Sequence, residues 1–191
     1  MGTSDRVWLG VDPGLTGALA AIIGPGVAFH DAPVVTIKVN GATKHQLDPH
    51  ACAALLRSYQ TDDMLVTIEK VAPMPSFKGK GGKPQSMGVT SAFNFGMGFG
   101  VWIGVLAALG IPYQLVHPAT WKRALLADMQ KGKDASRVKA KQLYPHVAEE
   151  LKLVKHHGRA DALLLAVYGR QYGPMSRREE FIAPAPMTLF G

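Results

Sequence analysis

The segment from Val7 to Ile23 constrains the fold most, because it has the pattern of a strand, a tight turn and a second strand. Val7 to Val11 is an apolar, β-prone run, Asp12-Pro13-Gly14 follows as a turn, and Leu19 to Ile23 is apolar again. Asp12 therefore stands where a buried strand meets solvent. A buried carboxylate is costly unless it is paired or binds a cation. An Asp side chain also caps turns of this kind, so the segment alone leaves a functional and a turn-capping role open.

Composition indicates a folded domain in a reducing compartment. Of the 191 residues, 47% are hydrophobic and 18% are charged, which is typical of one globular domain. The only cysteine, Cys52, lies among alanines, so an internal disulfide is excluded and a small core residue is expected. The first residues lack the basic-then-apolar pattern of a signal peptide. We expect a cytoplasmic protein.

Charge is distributed unevenly along the chain. Residues 1–75 carry five Lys or Arg and seven Asp or Glu, a net charge of −2, whereas residues 76–191 carry sixteen and seven, a net charge of +9. This asymmetry favours a polyanionic partner for the second half, and a solvated basic surface is the alternative.

A second acid ends another predicted strand. Asp48-Pro49 is typical of a helix start, and that helix is predicted to reach about Tyr59. Met64 to Glu69 is then an apolar run that ends in a carboxylate. If this strand is parallel to the first, Asp12 and Glu69 meet at the carboxyl edge of the sheet, where α/β folds bind ligands.

Two unusual segments follow. The loop 72–88 is rich in Pro, Gly and Lys and is long for a connection, which favours a functional role over a solvated loop. Its lysines suit phosphates and its apolar side chains suit stacking or wedging between bases; these residues are Met74, Phe77, Lys78, Lys80 and Lys83.

Residues 89–110 are long and apolar enough to span a membrane, but strand patterns on both sides favour a buried helix and no membrane partner. Gly96, Gly100 and Gly104 would share one face and admit a neighbouring element or a second subunit.

The second half carries the basic residues and a third acid. A strand is predicted over Tyr113 to Val116, and Pro118 begins a helix with Trp121, Lys122 and Arg123. Asp134 is expected to cap the next helix. A basic surface helix is usually only solvated, and phosphate contact is the alternative here. The cations concerned are Lys131, Lys133, Arg137, Lys139 and Lys141. Asp161 lies in a helix within 155–168, and His157 lies one turn before it on the same face. The tail from Pro174 is expected to be irregular.

Three acids and an imidazole on three elements form the predicted site, which consists of Asp12, Glu69, His157 and Asp161. Such oxygen-rich sets bind Mg²⁺ or Mn²⁺. Two such ions promote phosphodiester hydrolysis.

Several motifs resemble those of the RuvC-type Holliday junction resolvases of the RNase H-like superfamily, in particular the plant chloroplast branch and its bacterial and phage relatives. They are GVDPGLTGALA around Asp12, IEKV at Glu69, the glycine-rich run from Phe95 to Gly110, PATWK at 118–122, GKDASR at 132–137 and HGRADALLLAVYG at 157–169. The resemblance implies an α/β fold with a mixed sheet flanked by helices in a single domain, residues 1–173, with a tail at 174–191. His157 and Asp161 are four residues apart where many bacterial members have three, and Gly14 stands where the plant branch has an acid.

The resemblance also implies roles and partners. Asp12, Glu69, His157 and Asp161 would bind metal, two Mg²⁺ or Mn²⁺ ions per site, and Lys122 and Lys133 would contact the phosphate. The remaining DNA contacts are assigned to the loop residues above and to Arg123, Lys131, Arg137, Lys139, Lys141 and Arg159. A homodimer would cut a four-way DNA junction by paired symmetric nicks, leaving 5′-phosphate and 3′-hydroxyl ends.

Near the end of the chain, Met187, Leu189 and Phe190 resemble the peptide that docks bacterial DNA sliding clamps, although Pro186 replaces the usual glutamine. Packing of the tail on its own domain is the alternative.

Three other functions remain open from the sequence. A nuclease of the same fold could act on RNA or on other branched DNA with the same acids. An actin-like or sugar-kinase fold also uses a GVDPGLTGA-like turn, but it needs two such domains, and this chain shows no repeat. A non-catalytic nucleic-acid-binding module is the third alternative.

Overall fold

The computed structural model describes residues 6–71, 77–78, 84–85, 88–130, 132, 134–173 and 180–182. Its main sheet has six strands in the order β10-β9-β6-β1-β2-β3. The strands of this sheet are β1 (Val7–Asp12), β2 (Ala18–Ile23), β3 (Gly26–Asp31), β6 (Met64–Glu69), β9 (Tyr113–Val116) and β10 (Glu180–Ile182). Strands β1, β6 and β9 are parallel neighbours, whereas β2, β3 and β10 add antiparallel strands at the two sides. The mixed sheet that the sequence predicts is therefore confirmed.

Five α-helices and two hairpins complete the described fold. The helices are α1 (Pro49–Ser58), α2 (Val89–Ala108), α3 (Pro118–Leu125), α4 (Ala135–Leu143) and α5 (His157–Tyr172), with 3-10 helices at Pro145–Leu151 and Val154–His156. The hairpins are β4 (Val34–Val39) with β5 (Ala42–Leu47), and β7 (Phe77–Lys78) with β8 (Pro84–Gln85). The turn between β4 and β5 uses Asn40 and Gly41, which both have positive φ angles.

Two apolar layers enclose the sheet. On one side, α5 packs with Trp121 and Leu151, and its residues Ala160 and Ala162 to Tyr168 are buried. On the other side, α1 and the inner edge of α2 cover β1 and β6 through Leu56, Trp102 and Leu106. The sheet is thus covered on both faces, which explains the continuous apolar runs of β1 and β6.

Three sequence expectations need correction. Strand β5 was not predicted, although Asn40-Gly41 is a strong hairpin signal. The tail was expected to be irregular, yet Glu180–Ile182 pair with β9. Asp134 precedes α4 as expected, but its side chain makes no capping hydrogen bond among the described residues and binds Arg137 instead.

Helix α2 is largely exposed rather than a buried core helix. It is long and apolar enough to cross a membrane by length and composition, and only 17% of its most apolar window is buried. Gly98, Trp102 and Leu106 face the core, whereas a Cβ atom at Gly96, Gly100 or Gly104 would meet no atom within 4 Å among the described residues.

Candidate active site

Asp12 and Glu69 finish two neighbouring parallel strands at the same level. Val11 of β1 is the register partner of Ile68 of β6, and the two acids are the next residues on their strands. The expected meeting of both acids at the carboxyl edge is therefore confirmed. Both side chains are partly buried.

Helix α5 brings Asp161 and His157 to the same edge, because two glycines let backbones approach closely. A Cβ atom at Gly10 of β1 would lie 1.9 Å from the carbonyl oxygen of Ala162. A Cβ atom at Gly158 would lie 2.5 Å from the carbonyl oxygen of Thr16, in the turn that follows Asp12. No side chain fits at such distances, so these two glycines set how near α5 comes to β1.

The acids form one electrostatic group. Burial, and then the charges of Asp161 and Glu69, raise the pKa of Asp12 to about 7. The backbone N–H of Gly14, 3.3 Å from Asp12 Oδ1, and the nearby His157 oppose this rise. Burial also raises the pKa of Glu69, against a hydrogen bond from Trp121 and the charge of Lys122. Clustered, partly buried carboxylates of this kind are the arrangement that a cation stabilises.

The contact with Gly14 also means that Asp12 does cap its own turn. That reading and the functional one are compatible, because the hydrogen bond engages Oδ1 and a carboxylate accepts several bonds.

The donor set fits a hard divalent cation by its chemistry, since it consists of carboxylates with one imidazole beside them. In the described part of the chain, however, no three Asp, Glu, His or Cys side chains already surround one point as a ligand shell. The four residues are neighbours whose side chains would have to converge further on an ion.

A cavity of about 390 Å³ opens beside Asp161 and His157. Its wall includes Lys122 of α3 and Asp134, Ala135 and Ser136 at the start of α4. Lys122 is exposed, and its Nζ lies 5.0 Å from the ring centre of Trp121. The cavity is thus lined both by a lysine and by one carboxylate of the acid cluster, Asp161.

The basic residues predicted to bind DNA fall into different environments. Arg123 is exposed next to Lys122, and Lys141 is partly exposed on α4. Lys139 forms an ion pair with Asp128, with Nζ 2.7 Å from Oδ2. Arg159 donates to both oxygens of Asp31, at 2.6 and 2.8 Å.

Arg137 is buried instead of facing solvent. Its guanidinium binds Asp134 at 2.6 Å and the carbonyl oxygen of Lys152 at 2.8 Å. This position joins α4 to the segment before α5, so Arg137 is placed to stabilise the fold. Arg137 is therefore not part of the proposed DNA surface.

Several predicted residues cannot be placed. Phe77 and Lys78 form β7, and the remaining ones lie outside the described residues: Met74, Lys80, Lys83, Lys131, Lys133, Met187, Leu189 and Phe190. The wedge and sliding-clamp assignments therefore stay predictions.

One contact of the site was not predicted. The indole N–H of Trp121 donates to Glu69 Oε2 at 2.8 Å. The sequence feature that could have predicted this contact is a tryptophan in α3, the helix that directly follows strand β9 at the edge where the acids lie.

Comparison with known proteins gives a short sequence match and several long structural ones. No family model matches the chain. Over 69 residues it is 41% identical to a protein of Chlamydomonas reinhardtii, Holliday junction resolvase MOC1, chloroplastic, and this match covers 36% of the chain and 8% of that protein. The chain thus spans a small fraction of the length of this curated relative.

Two of the structural matches are to RuvC of Thermus thermophilus. A structure of that protein in complex with a Holliday junction substrate aligns with a TM-score of 0.57 at 16% identity, over 93% of this chain and 99% of that one. A second RuvC structure aligns with a TM-score of 0.51 at 18% identity, over 93% and 100%. The chain therefore shares the α/β fold of these RuvC structures, which confirms the predicted fold class.

Proposed function

We propose that this chain is a metal-dependent endonuclease that resolves four-way DNA junctions by paired symmetric nicks. The observation that carries the proposal is the group of Asp12, Glu69 and Asp161 at one edge of a RuvC-type sheet. The local similarity to a chloroplast Holliday junction resolvase and the likeness to a RuvC bound to a junction support the substrate.

Asp12, Glu69, Asp161 and His157 would hold Mg²⁺ or Mn²⁺, two ions per site. When bound, such ions lower the pKa of water and stabilise charge on a leaving oxygen. The raised pKa of Asp12 supports this assignment, because a cation offsets the repulsion among its neighbours. The charges of both other acids act on Asp12, so replacing Asp12 should disable the site.

The cations around the cavity would bind the DNA backbone. Lys122 lines the cavity beside Asp161, and Arg123 is exposed next to it, so both are placed to contact phosphates near the acids. Lys133 would add a further contact, as the resemblance implies. His157 is exposed at the start of α5, where it can turn toward a ligand beside Asp161.

The outer face of α2 would form a homodimer interface. Val89, Phe93 and Met97 are 87%, 69% and 41% exposed, and Gly96 and Gly100 leave open space beside them. An apolar face of this kind with small residues admits the close approach of a second backbone. Two copies would supply the two active sites that paired nicks require.

Cleavage of a synthetic immobile four-way junction tests the function, beside a duplex of the same length and a fork. The wild type should nick the junction in Mg²⁺ or Mn²⁺ and leave the duplex intact. Asp12→Asn should bind the junction without cutting it. Equal cutting of all three DNAs would instead support a nuclease with broader specificity, and binding without cutting by the wild type would support a non-catalytic module.

A further inference from the structure

Trp121 contacts Glu69 of the candidate active site through a hydrogen bond. Its side chain is fully buried, and its only polar group donates to Glu69 Oε2 at 2.8 Å. An indole N–H is a donor only, so this contact is suited to a carboxylate oxygen and to no donor group.

The sheet register explains how Trp121 reaches the acid. Glu69 is the register partner of Val116 on the adjacent strand β9, and the N–H of Lys70 donates to the carbonyl oxygen of Val116 at 2.8 Å. Helix α3 begins at Pro118, directly after this strand. Its first turn therefore lies over the end of β6 and places Trp121 against Glu69.

The hydrogen bond restrains one of the two carboxylate oxygens. Glutamate has three rotatable side-chain bonds, so an unrestrained Glu69 would sample several positions at the sheet edge. With Oε2 bound to a buried indole, the direction of the carboxylate is restrained. Lys122, the next residue of α3, adds a positive charge on the exposed side of the same acid.

A second tryptophan shows that burial alone does not explain the contact. Trp102 is also fully buried, in the apolar layer on the opposite face of the sheet. Its indole N–H has no hydrogen-bond partner among the described residues. The fold thus accepts a buried indole without a polar partner at one place, whereas at the other the N–H meets an acid of the site.

We propose that Trp121 is a positioning residue that holds Glu69 in the orientation needed to bind a divalent cation. This inference rests on the metal site of the proposed function. Trp121 would bind a metal ligand and not the metal itself, so its loss should weaken metal binding without removing any ligand. Loss of a partner that orients a metal ligand typically lowers metal affinity by about 10-fold to 100-fold.

The two tryptophans provide a matched pair of variants. Trp121→Phe removes the N–H and part of the ring, whereas Trp102→Phe removes the same atoms from the other apolar layer. Titration of the whole protein with Mn²⁺ alone, followed by calorimetry, should show metal affinity about 10-fold weaker for Trp121→Phe. Trp102→Phe should keep the wild-type affinity.

Junction cleavage gives a second readout. For Trp121→Phe, the Mn²⁺ concentration at half-maximal rate should rise by a similar factor, with most of the rate restored at saturating metal. A purely structural role of Trp121 would lower the rate of Trp121→Phe at every metal concentration, with no recovery at saturating Mn²⁺, and would overturn the inference. Equal Mn²⁺ affinities for the two variants would overturn the inference.

The result also separates this inference from the proposed function. If the wild type binds Mn²⁺ but cuts no junction, a weaker affinity for Trp121→Phe still supports the positioning role and the proposed function fails. If Trp121→Phe does not fold, replacing Trp121 by benzothienylalanine keeps the ring size and removes only the donor. An unchanged Mn²⁺ affinity for that protein would overturn the inference.

Discussion

Asp12 and Glu69 lie side by side because the residues before them, Val11 and Ile68, pair in the parallel register of β1 and β6. Asp161 joins them from α5, and its charge and that of Glu69 help to raise the pKa of Asp12 to about 7. Three carboxylates thus share a small, partly buried region. This repulsion destabilises the metal-free protein, and it is what a bound cation would relieve.

The first prediction concerns the pH dependence of stability without metal. The pKa of Asp12 is about 7 in the folded protein and 3.8 ordinarily. Between these values the folded state holds a proton that the unfolded state has lost, so the free energy of unfolding falls as pH rises. Asp12→Asn carries no such charge. In EDTA its Tm should exceed that of the wild type by about 3 °C or more near pH 8, and the difference should shrink toward about pH 4.

A control of opposite sign is available at Asp128. The hydrogen bond from Lys139 lowers the pKa of this exposed acid, so its ion pair stabilises the protein above the ordinary pKa and is lost at lower pH. Asp128→Asn should therefore be the less stable variant at high pH. A Tm of Asp12→Asn that follows the wild type at every pH would contradict the clustering of acids.

The second prediction concerns the contact between α5 and the turn after β1. Gly158→Ala places a methyl group where the carbonyl oxygen of Thr16 lies 2.5 Å away. The helix must shift, and with it Asp161, so we expect a loss of about 1–3 kcal/mol in the free energy of unfolding and a larger loss of cleavage. Gly26→Ala is the control, since a Cβ there meets its nearest atom at an ordinary 3.4 Å. Equal denaturant midpoints for the two variants would be inconsistent with this packing.

The third prediction tests the α2 interface. Phe93→Asp places a charge in the centre of the exposed apolar face, where Phe93 is 69% exposed. Sedimentation should show that dimer association is weaker by about 2 kcal/mol or more, which raises the Kd roughly 30-fold. Leu143→Asp, on α4 at 40% exposure, should leave the dimer intact. A wild type that is monomeric while it cuts junctions with paired nicks would disprove the interface.

The fourth prediction compares the DNA-binding contributions of two arginines that were both predicted from the sequence to contact DNA. Arg123 is exposed, whereas Arg159 is bound to Asp31. Arg123→Gln should reduce the salt dependence of junction binding by about one phosphate contact, a slope change of about 0.9. Arg159→Gln should leave that slope unchanged and lower stability by less than about 1 kcal/mol. Salt titrations of junction affinity measure both, and a lower slope for Arg159→Gln would show that its ion pair opens to bind DNA.

The sequence predicts the strands that carry the acids because each is a continuous apolar run that ends in a carboxylate. Both Asp12 and Glu69 are visible in this way, and Asp161 is visible from its helical spacing to His157. Contacts between elements distant in sequence are not visible. Trp121 binds an acid 52 residues earlier in the chain, and Arg159 binds Asp31 across 128 residues. Such partners depend on how strands and helices pack, which no local pattern encodes.

The exposure of α2 shows the same limit. Its apolar composition fits a buried helix, but burial depends on how many neighbours the fold supplies, and α1 and the sheet cover only one edge of it. The apolar composition of α2 indicates a surface that is stabilised by contact with another apolar surface. It does not determine whether the same chain or a second copy supplies that contact.

The central claim is tested most directly on a supercoiled plasmid that extrudes a cruciform from an inverted repeat. Paired nicks across the junction convert this plasmid to linear DNA within one binding event. We predict linear product with the wild type in Mg²⁺, no product with Asp161→Asn, and no cutting of the same plasmid without the repeat. Nicked circles alone, or equal cutting of the plasmid that lacks the repeat, would contradict the assignment as a junction resolvase.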